Sequence, residues 1–305
     1  MKPHAGKRIC LFAQYDPVPR LAPHTRHYLR EIITCGYEVH VCISGHPNLG
    51  DQGLRNFHEG LEGLPIHFYP RENGGLDFAA WQFLIEKGCV QNAIEILFTN
   101  DSLFGPITPL KPIMQSMRAE GYDAWGMVRS QETMPHLQSW FLVMTGDAFT
   151  HPAIQRIFSM PFMEMSKGEI ILHGEFGTSV ALDSAGLKTA ACWTARKALG
   201  GLLTANPMHT DWLTVLQSGR IPFIKTELLR DNPFLAPGVK DWRNAIPDKG
   251  FFRPAWIVEY LKENPPRSPG PIIGWQQRLT SALAAQDPRN FIRYLLQFLS
   301  RRRLR

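Results

Sequence analysis

Cysteine is scarce in this chain and poorly placed for cross-linking. Five occur in 305 residues, at Cys10, Cys35, Cys42, Cys89 and Cys192, with no Cys-x-x-Cys pair. An odd, scattered set argues against a disulfide framework or a zinc site and suits free thiols in a reducing compartment. Long apolar runs are missing as well. No stretch approaches the ~18 residues of a membrane span, and the opening Met1-Lys2-Pro3-His4-Ala5-Gly6-Lys7-Arg8 leads into a short apolar segment with no small-residue cleavage site, so no secretory leader is expected. Internal repeats are absent. Lys and Arg exceed Asp and Glu by only 33 to 27, and much of that excess lies in the last residues. With no nucleic-acid motif beside it, a nucleic-acid partner is not expected. What is present is core material, 44% hydrophobic residues against 20% charged. A globular, cytoplasmic chain of one large or two small domains follows.

The first third alternates strands and helices. Arg8–Ala13, Glu38–Ser44, Leu64–Pro70 and Ile94–Thr99 read as buried strands, and His24–Gly36 and Phe78–Lys87 carry helical spacing. Such alternation predicts an α/β fold with a mostly parallel central sheet covered on both faces, whose ligands sit at the carboxyl ends of the strands. Further strands are expected at Ala124–Val128 and Ser139–Met144, and helices at Ala148–Phe158 and Gly177–Ala185. After about Asp231 proline accumulates, which predicts an extended, loop-rich region with one short helix near Trp256–Lys262.

Several polar residues fall at the predicted strand ends. Asp101, in Asn100-Asp101-Ser102, has two readings: a ligand to Mg²⁺ or Mn²⁺ on a nucleotide diphosphate, or the cap of a turn. In Asn73-Gly74-Gly75-Leu76-Asp77 the glycines permit close ligand approach, and Asp77 either caps the next helix or contacts a ligand. Asp16 either faces a nucleoside or starts a turn before Pro17. Arg71, Lys225 and Arg230 meet phosphate or water. The spacing of His24 and His27 reads as solvated surface, and Trp81, Trp125 and Trp140 read as core, with Trp140 also a candidate sugar platform.

The segments Arg71–Trp81, Thr99–Pro106, Asp123–Gly126, His136–Val143, Gly174–Gly177, Asn206–Trp212 and Pro222–Leu229, in that order, resemble the rhamnan synthesis protein F family across about Arg8 to Asn232. The resemblance implies a GT-A-like nucleotide-diphospho-sugar transferase domain over residues 1–233, followed by a Pro-rich extension over 234–305. It implies a glycosyltransferase of cell-surface polysaccharide or O-antigen synthesis. The implied reaction is inverting transfer of rhamnose from dTDP-rhamnose, or of a sugar from another nucleotide donor, to a glycan or lipid-linked acceptor. The Asp-x-Asp position of GT-A enzymes reads Asn100-Asp101-Ser102 here, with one carboxylate. Asp101, Ser102 and His209 are then the implied ligands of a divalent cation. Asp16, Arg71, Asn73, Asp77, Asn100, Gln138, Ser139 and Lys225 become substrate-binding residues. Glu175 resembles the catalytic base, against the plain alternative of a helix-start glutamate, with Asp147 and Glu169 as rivals. The one-carboxylate motif also suits a protein that binds sugar nucleotides without turning them over.

The carboxyl end carries a separate signal. Phe291, Tyr294, Leu295, Phe298 and Leu299 share a helical face, and Arg289, Arg293, Arg301, Arg302, Arg303 and Arg305 surround it. A basic amphipathic helix of this kind either lies on an anionic membrane, giving a peripheral location, or docks on its own domain.

Overall fold

The computed structural model describes residues 6–195, 206–247, 250–267 and, beyond these, 279, 283–285, 287, 289–294 and 296. By compactness the chain divides into two units. The first comprises Met1–Asp101, Leu110–Met127 and His136–Cys192, and the second Ser102–Pro109, Val128–Pro135 and Trp193–Arg305. The division therefore falls at residue 193, with two excursions earlier in the chain, whereas composition alone changes near 233.

The first unit is built on strands β1 (Lys7–Tyr15), β2 (Tyr37–Ser44), β3 (Ile66–Arg71) and β4 (Ala93–Asn100), with helices α1 (Pro23–Thr34), α2 (Asp51–His58) and α3 (Leu76–Glu86) between them. The strands read as unbroken apolar runs because both faces are covered: Ile9 to Ala13 of β1 are all buried. Helix α1 starts with Pro23 at its first position and turns Tyr28, Leu29 and Ile32 inward. Gly36 ends it at φ 90°, a left-handed turn that glycine takes without strain.

Strand β5 (Leu103–Phe104) follows β4 and belongs to the second unit. After it come α4 (Lys111–Ala119), β6 (Ala124–Ser130), β7 (His136–Leu137), β8 (Phe141–Thr145), α5 (Gly146–Thr150) and α6 (Pro152–Phe158). The sheet runs β3-β2-β1-β4-β8-β6-β7. Strands β3, β2, β1 and β4 are parallel, while β8 lies antiparallel between β4 and β6. The sheet is thus mostly parallel, as the alternation predicted, with β8 reversed.

A single helix over Ala148–Phe158 is corrected to two. Pro152 has no N–H and cannot sit inside a helix, so it starts α6 instead, and the His151 ring accepts the Ala153 N–H at 3.2 Å. The helix expected at Gly177 is present, but it does not start from a loop. It is α8 (Gly177–Ser184), preceded by α7 (Lys167–Glu169) and by a π-helical stretch, Ile170–Phe176, that contains Glu175. Phe78 and Trp81 of α3 pack with Phe98, Phe149, Phe158 and Phe162 in the core beneath the sheet. Each such side chain removed from water stabilises the fold by about 2 kcal/mol.

After β9 (Thr189–Thr194), the second unit holds α9 (Pro207–Thr210), α10 (Trp212–Gln217), β10 (Ile224–Lys225), α11 (Thr226–Arg230) and α12 (Pro254–Glu263). Its core gathers Phe104, Trp212, Ile224, Leu228, Trp242, Phe252, Ile257 and Tyr294. Tyr294 and Phe291 of the carboxyl-terminal signal pack here, and the buried Asn290 amide donates to Asp211 at 3.0 Å. Leu295, Phe298, Leu299, Arg301, Arg302, Arg303 and Arg305 lie outside the residues whose side chains are described. No helix among the described residues is long and apolar enough to cross a membrane.

Candidate active site

The chain leaves β1 toward β2 and β3 on one side and returns to β4 on the other. The order therefore reverses between β1 and β4, and in sheets of this kind the carboxyl ends at such a switch point are where ligands sit. Asp16 follows β1 there, and Asn100 and Asp101 end β4. The register pairs Ala13 with Asn100, and the Asp101 N–H continues the ladder to the Ala13 carbonyl at 3.2 Å. Asp101 Oδ2 accepts the Tyr15 N–H at 2.8 Å. The buried Asn100 amide donates to Asp77 Oδ2 at 2.5 Å. Asp16 accepts the Val18 N–H at 2.9 Å and lies 3.7 Å from Arg20.

Burial raises the Asp101 carboxyl to about 8; the Tyr15 N–H opposes that shift, while the charges of Asp77 and Asp16 add to it. A carboxylate so placed holds its charge at neutral pH only if a cation joins it. Among the described residues, no group of three or more His, Cys, Asp or Glu side chains is arranged to hold a metal ion. The protein alone does not form a cage here. The donor set suits an ion that takes one or two carboxylate oxygens and completes its shell with phosphate and water, as Mg²⁺ does.

Arg71 ends β3 at the same edge. Its Nε donates to Ser44 Oγ at 3.1 Å and its Nη2 to the Gly74 carbonyl, which fixes the guanidinium on the strand ends. Asn73 lies in the loop that follows. Gly75, at φ 61°, begins α3 where a Cβ would stand 2.7 Å from the Phe162 carbonyl oxygen. Packing therefore requires that glycine, independently of any ligand. Asp77 sits in the first turn of α3, but Gly75 is the cap, so the carboxylate is left to the Asn100 amide.

Because β8 is antiparallel to β4, the segment entering β8 arrives at this same edge, with Thr99 paired to Phe141. The Thr99 hydroxyl donates to the Trp140 carbonyl at 2.8 Å and so accepts from Tyr28 at 2.7 Å. The Gln138 side chain accepts the Trp140 indole N–H at 2.7 Å. Trp140, 3% exposed, is core and not a sugar platform, as are Trp81 and Trp125. Ser139 donates its N–H to Glu175 Oε2 at 2.8 Å and its hydroxyl to the same oxygen, while His136 Nε2 stands 3.2 Å from Oε1. Burial raises the Glu175 carboxyl, but the hydrogen bonds and charge of His136 and the contacts of Ser139 outweigh it, and the net shift is downward. Gly174 does not open an approach to Glu175: a Cβ there would stand 2.9 Å from the Phe78 ring.

The rival carboxylates lie elsewhere. Glu95 pairs with Thr145, so Asp147, exposed in α5, is at the opposite end of β4. Glu169 closes a capping box with Ser166 on an exposed turn. Ser102, His209 and Lys225 belong to the second unit. There the Ser102 carbonyl accepts the Thr226 N–H at 2.9 Å. Burial, with help from Lys225, lowers the His209 imidazole to about 3, leaving it neutral, and it lies 3.7 Å from Glu227. Arg230 pairs with its neighbour Asp231 at 2.8 Å. His24 is corrected from surface to core: it is 1% exposed, and burial lowers it to about 3.

Sequence reading assigned no role to His136, Ser44 or Thr99. Only their nearness to strand ends could have singled them out.

Residues 50–242 match the family model described as rhamnan synthesis protein F. Two curated relatives, from Vibrio anguillarum and its strain ATCC 68554 / 775, are both called virulence protein VirA. Each is 28% identical over 199 aligned residues, which cover 54% of this chain and 63% of the relative. The chain thus matches less than two thirds of the length of those relatives. The resemblance read from the ordered motifs is borne out by the family match.

Proposed function

The chain belongs to the rhamnan synthesis protein F family, and from that premise we propose that it is a glycosyltransferase of polysaccharide synthesis. The proposed fold is GT-A-like. The reaction is inverting transfer of a sugar, rhamnose by the family's name, from a nucleotide-diphosphate donor to a growing glycan. The observation that carries this reading is the meeting of Asp16, Asp77, Asn100 and Asp101 at the carboxyl ends of β1 and β4, where the Asp101 carboxyl is raised to about 8. A ligand bearing a cation removes that cost, and a metal–diphosphate is such a ligand.

In this reading Asp101 would hold the cation. The cation, when bound, neutralises charge on the departing diphosphate. Asn100 keeps Asp77 oriented, and Asp16 meets the nucleoside. Arg71, anchored by Ser44, meets phosphate charge. Asn73, Gln138 and Ser139 line the sugar side. Glu175 takes the proton of the acceptor hydroxyl as that oxygen attacks the anomeric carbon and the bond to the diphosphate breaks. The acceptor is a glycan or a lipid-linked glycan, and the carboxyl-terminal basic residues would hold the enzyme at an anionic membrane surface.

A panel of nucleotide sugars with and without Mn²⁺ tests donor binding by thermal shift. The correct donor is expected to raise the melting temperature only with the metal and only with Asp101 intact. If no donor shifts the protein, the reading fails. The second reading, binding without turnover, draws on one observation: both Glu175 oxygens are already engaged and its proton affinity is lowered. Donor binding without transfer or hydrolysis would favour it.

A further inference from the structure

Glu175 is gripped from two sides by one short segment. His136 of β7 is 2% exposed, and its Nε2 lies 3.2 Å from Glu175 Oε1. Its ring packs against Phe176 with centroids 4.5 Å apart, so the imidazole is wedged where it stands. Three residues on, Ser139 holds the other carboxylate oxygen by its N–H and its hydroxyl. The Leu137 N–H donates to Ser179 Oγ at 2.9 Å, which ties β7 to α8. On the far side Gly174 presses on Phe78 of α3, an apolar contact that carries no charge. Glu169 is turned into its own capping box, and Arg156 of α6 is exposed. His136 is therefore the charged partner that faces Glu175.

We propose that His136 is a positioning residue that keeps Glu175 ionised and aimed, so that the base is ready when the acceptor hydroxyl arrives. The proposal rests on the reading of Glu175 as the base. Its physical ground is that a carboxylate taken from water drifts toward its neutral form unless an opposite charge lies within about 4–6 Å. A neutral Glu175 cannot accept a proton. Burial alone drives it that way, and the hydrogen bond and charge of His136, with the Ser139 contacts, outweigh it. The same pair sets orientation, because Oε1 bonded to a wedged ring leaves the carboxylate little freedom to rotate.

The test is the titration of the Glu175 carboxyl carbon, followed by ¹³C NMR and assigned with Glu175→Gln, in wild type and in His136→Gln. The glutamine keeps a donor but loses the charge. His136→Asn serves as a second, smaller variant should the first not fold. The Glu175 midpoint is expected to rise by at least about one pH unit, and the acid limb of kcat/KM for sugar transfer to rise with it. An unmoved midpoint in a folded variant overturns the proposal whatever the activity. If the midpoint moves but Glu175→Gln still transfers sugar at the wild-type rate, the base reading fails and takes the proposed role with it.

Discussion

Glu95 and Asp101 flank the same strand, β4, near opposite ends, and their surroundings differ in kind. Glu95 receives two hydrogen bonds on Oε1 from Arg118, at 3.0 and 2.8 Å, a third on Oε2 at 3.2 Å, and the Tyr37 hydroxyl at 2.6 Å. Arg8 adds a longer contact at 3.7 Å. Asp101 has the Tyr15 N–H, and its electrostatic neighbours Asp77 and Asp16 repel it. One end of the strand is thus electrically complete, and the other is complete only with something added. The contrast separates a carboxylate whose charge the fold compensates from one whose charge it does not; in the proposed reading a cation or a ligand's donors supply the balance at the second.

The largest effect is expected where the completed end is broken. Arg118→Met leaves the partly buried Glu95 with most of its partners gone, and the Arg118 cation over the Tyr37 ring, 5.3 Å away, is lost too. Removing one member of such a pair costs up to about 3 kcal/mol, to be read from urea unfolding. Donor binding by the folded fraction should be unchanged. Weaker donor binding would mean that the two ends of β4 are not separate in role.

Asp101→Asn should act with the opposite sign. Its carboxyl titrates near 8 in the folded chain and near 3.8 when unfolded. Across that window the folded state keeps a proton that the unfolded state has released. The wild type should therefore lose stability as pH rises from about 4 to about 8, by at most roughly 1.4 kcal/mol per pH unit. The asparagine variant does not titrate and still offers an oxygen to the Tyr15 N–H. It should be the more stable protein at pH 9 and no more stable than wild type at pH 4, by urea midpoints without metal or donor. Equal stability at pH 9 would erase the contrast with Glu95.

The contrast was half legible in the sequence. Buried strands announce themselves by continuous apolar runs, so β1, β2 and β4 and the residues at their ends could be placed, and the meeting of Asp16, Asp77 and Asp101 follows from parallel strands alone. The reversal of β8 could not be read, because a strand's local pattern carries no direction. With it went the reason that Gln138 and Ser139 arrive beside Thr99. The π-helical stretch that carries Glu175 has no composition of its own, and the contact of Gly174 with Phe78 has no local signal. His136 was hidden for a simpler reason: a lone histidine in an apolar segment gains meaning only from the carboxylate packed against it.

The smallest effect concerns Arg71, a guanidinium built into the carboxylate edge. Ser44 Oγ accepts from Arg71 Nε at 3.1 Å, and both side chains are buried. Ser44→Ala removes an acceptor from a charged donor, at a cost of about 1–2 kcal/mol in stability, and leaves the Gly74 carbonyl and the Met163 sulfur as its partners. Because Arg71 keeps its charge, the variant should still bind the donor, but several-fold more weakly than wild type, since the guanidinium must then be ordered by the phosphate it meets. The correct donor from the thermal-shift panel, titrated by calorimetry, measures this. An unchanged donor affinity would place Arg71 with Arg118, as a cation that serves the fold, and would leave the phosphate charge to other residues.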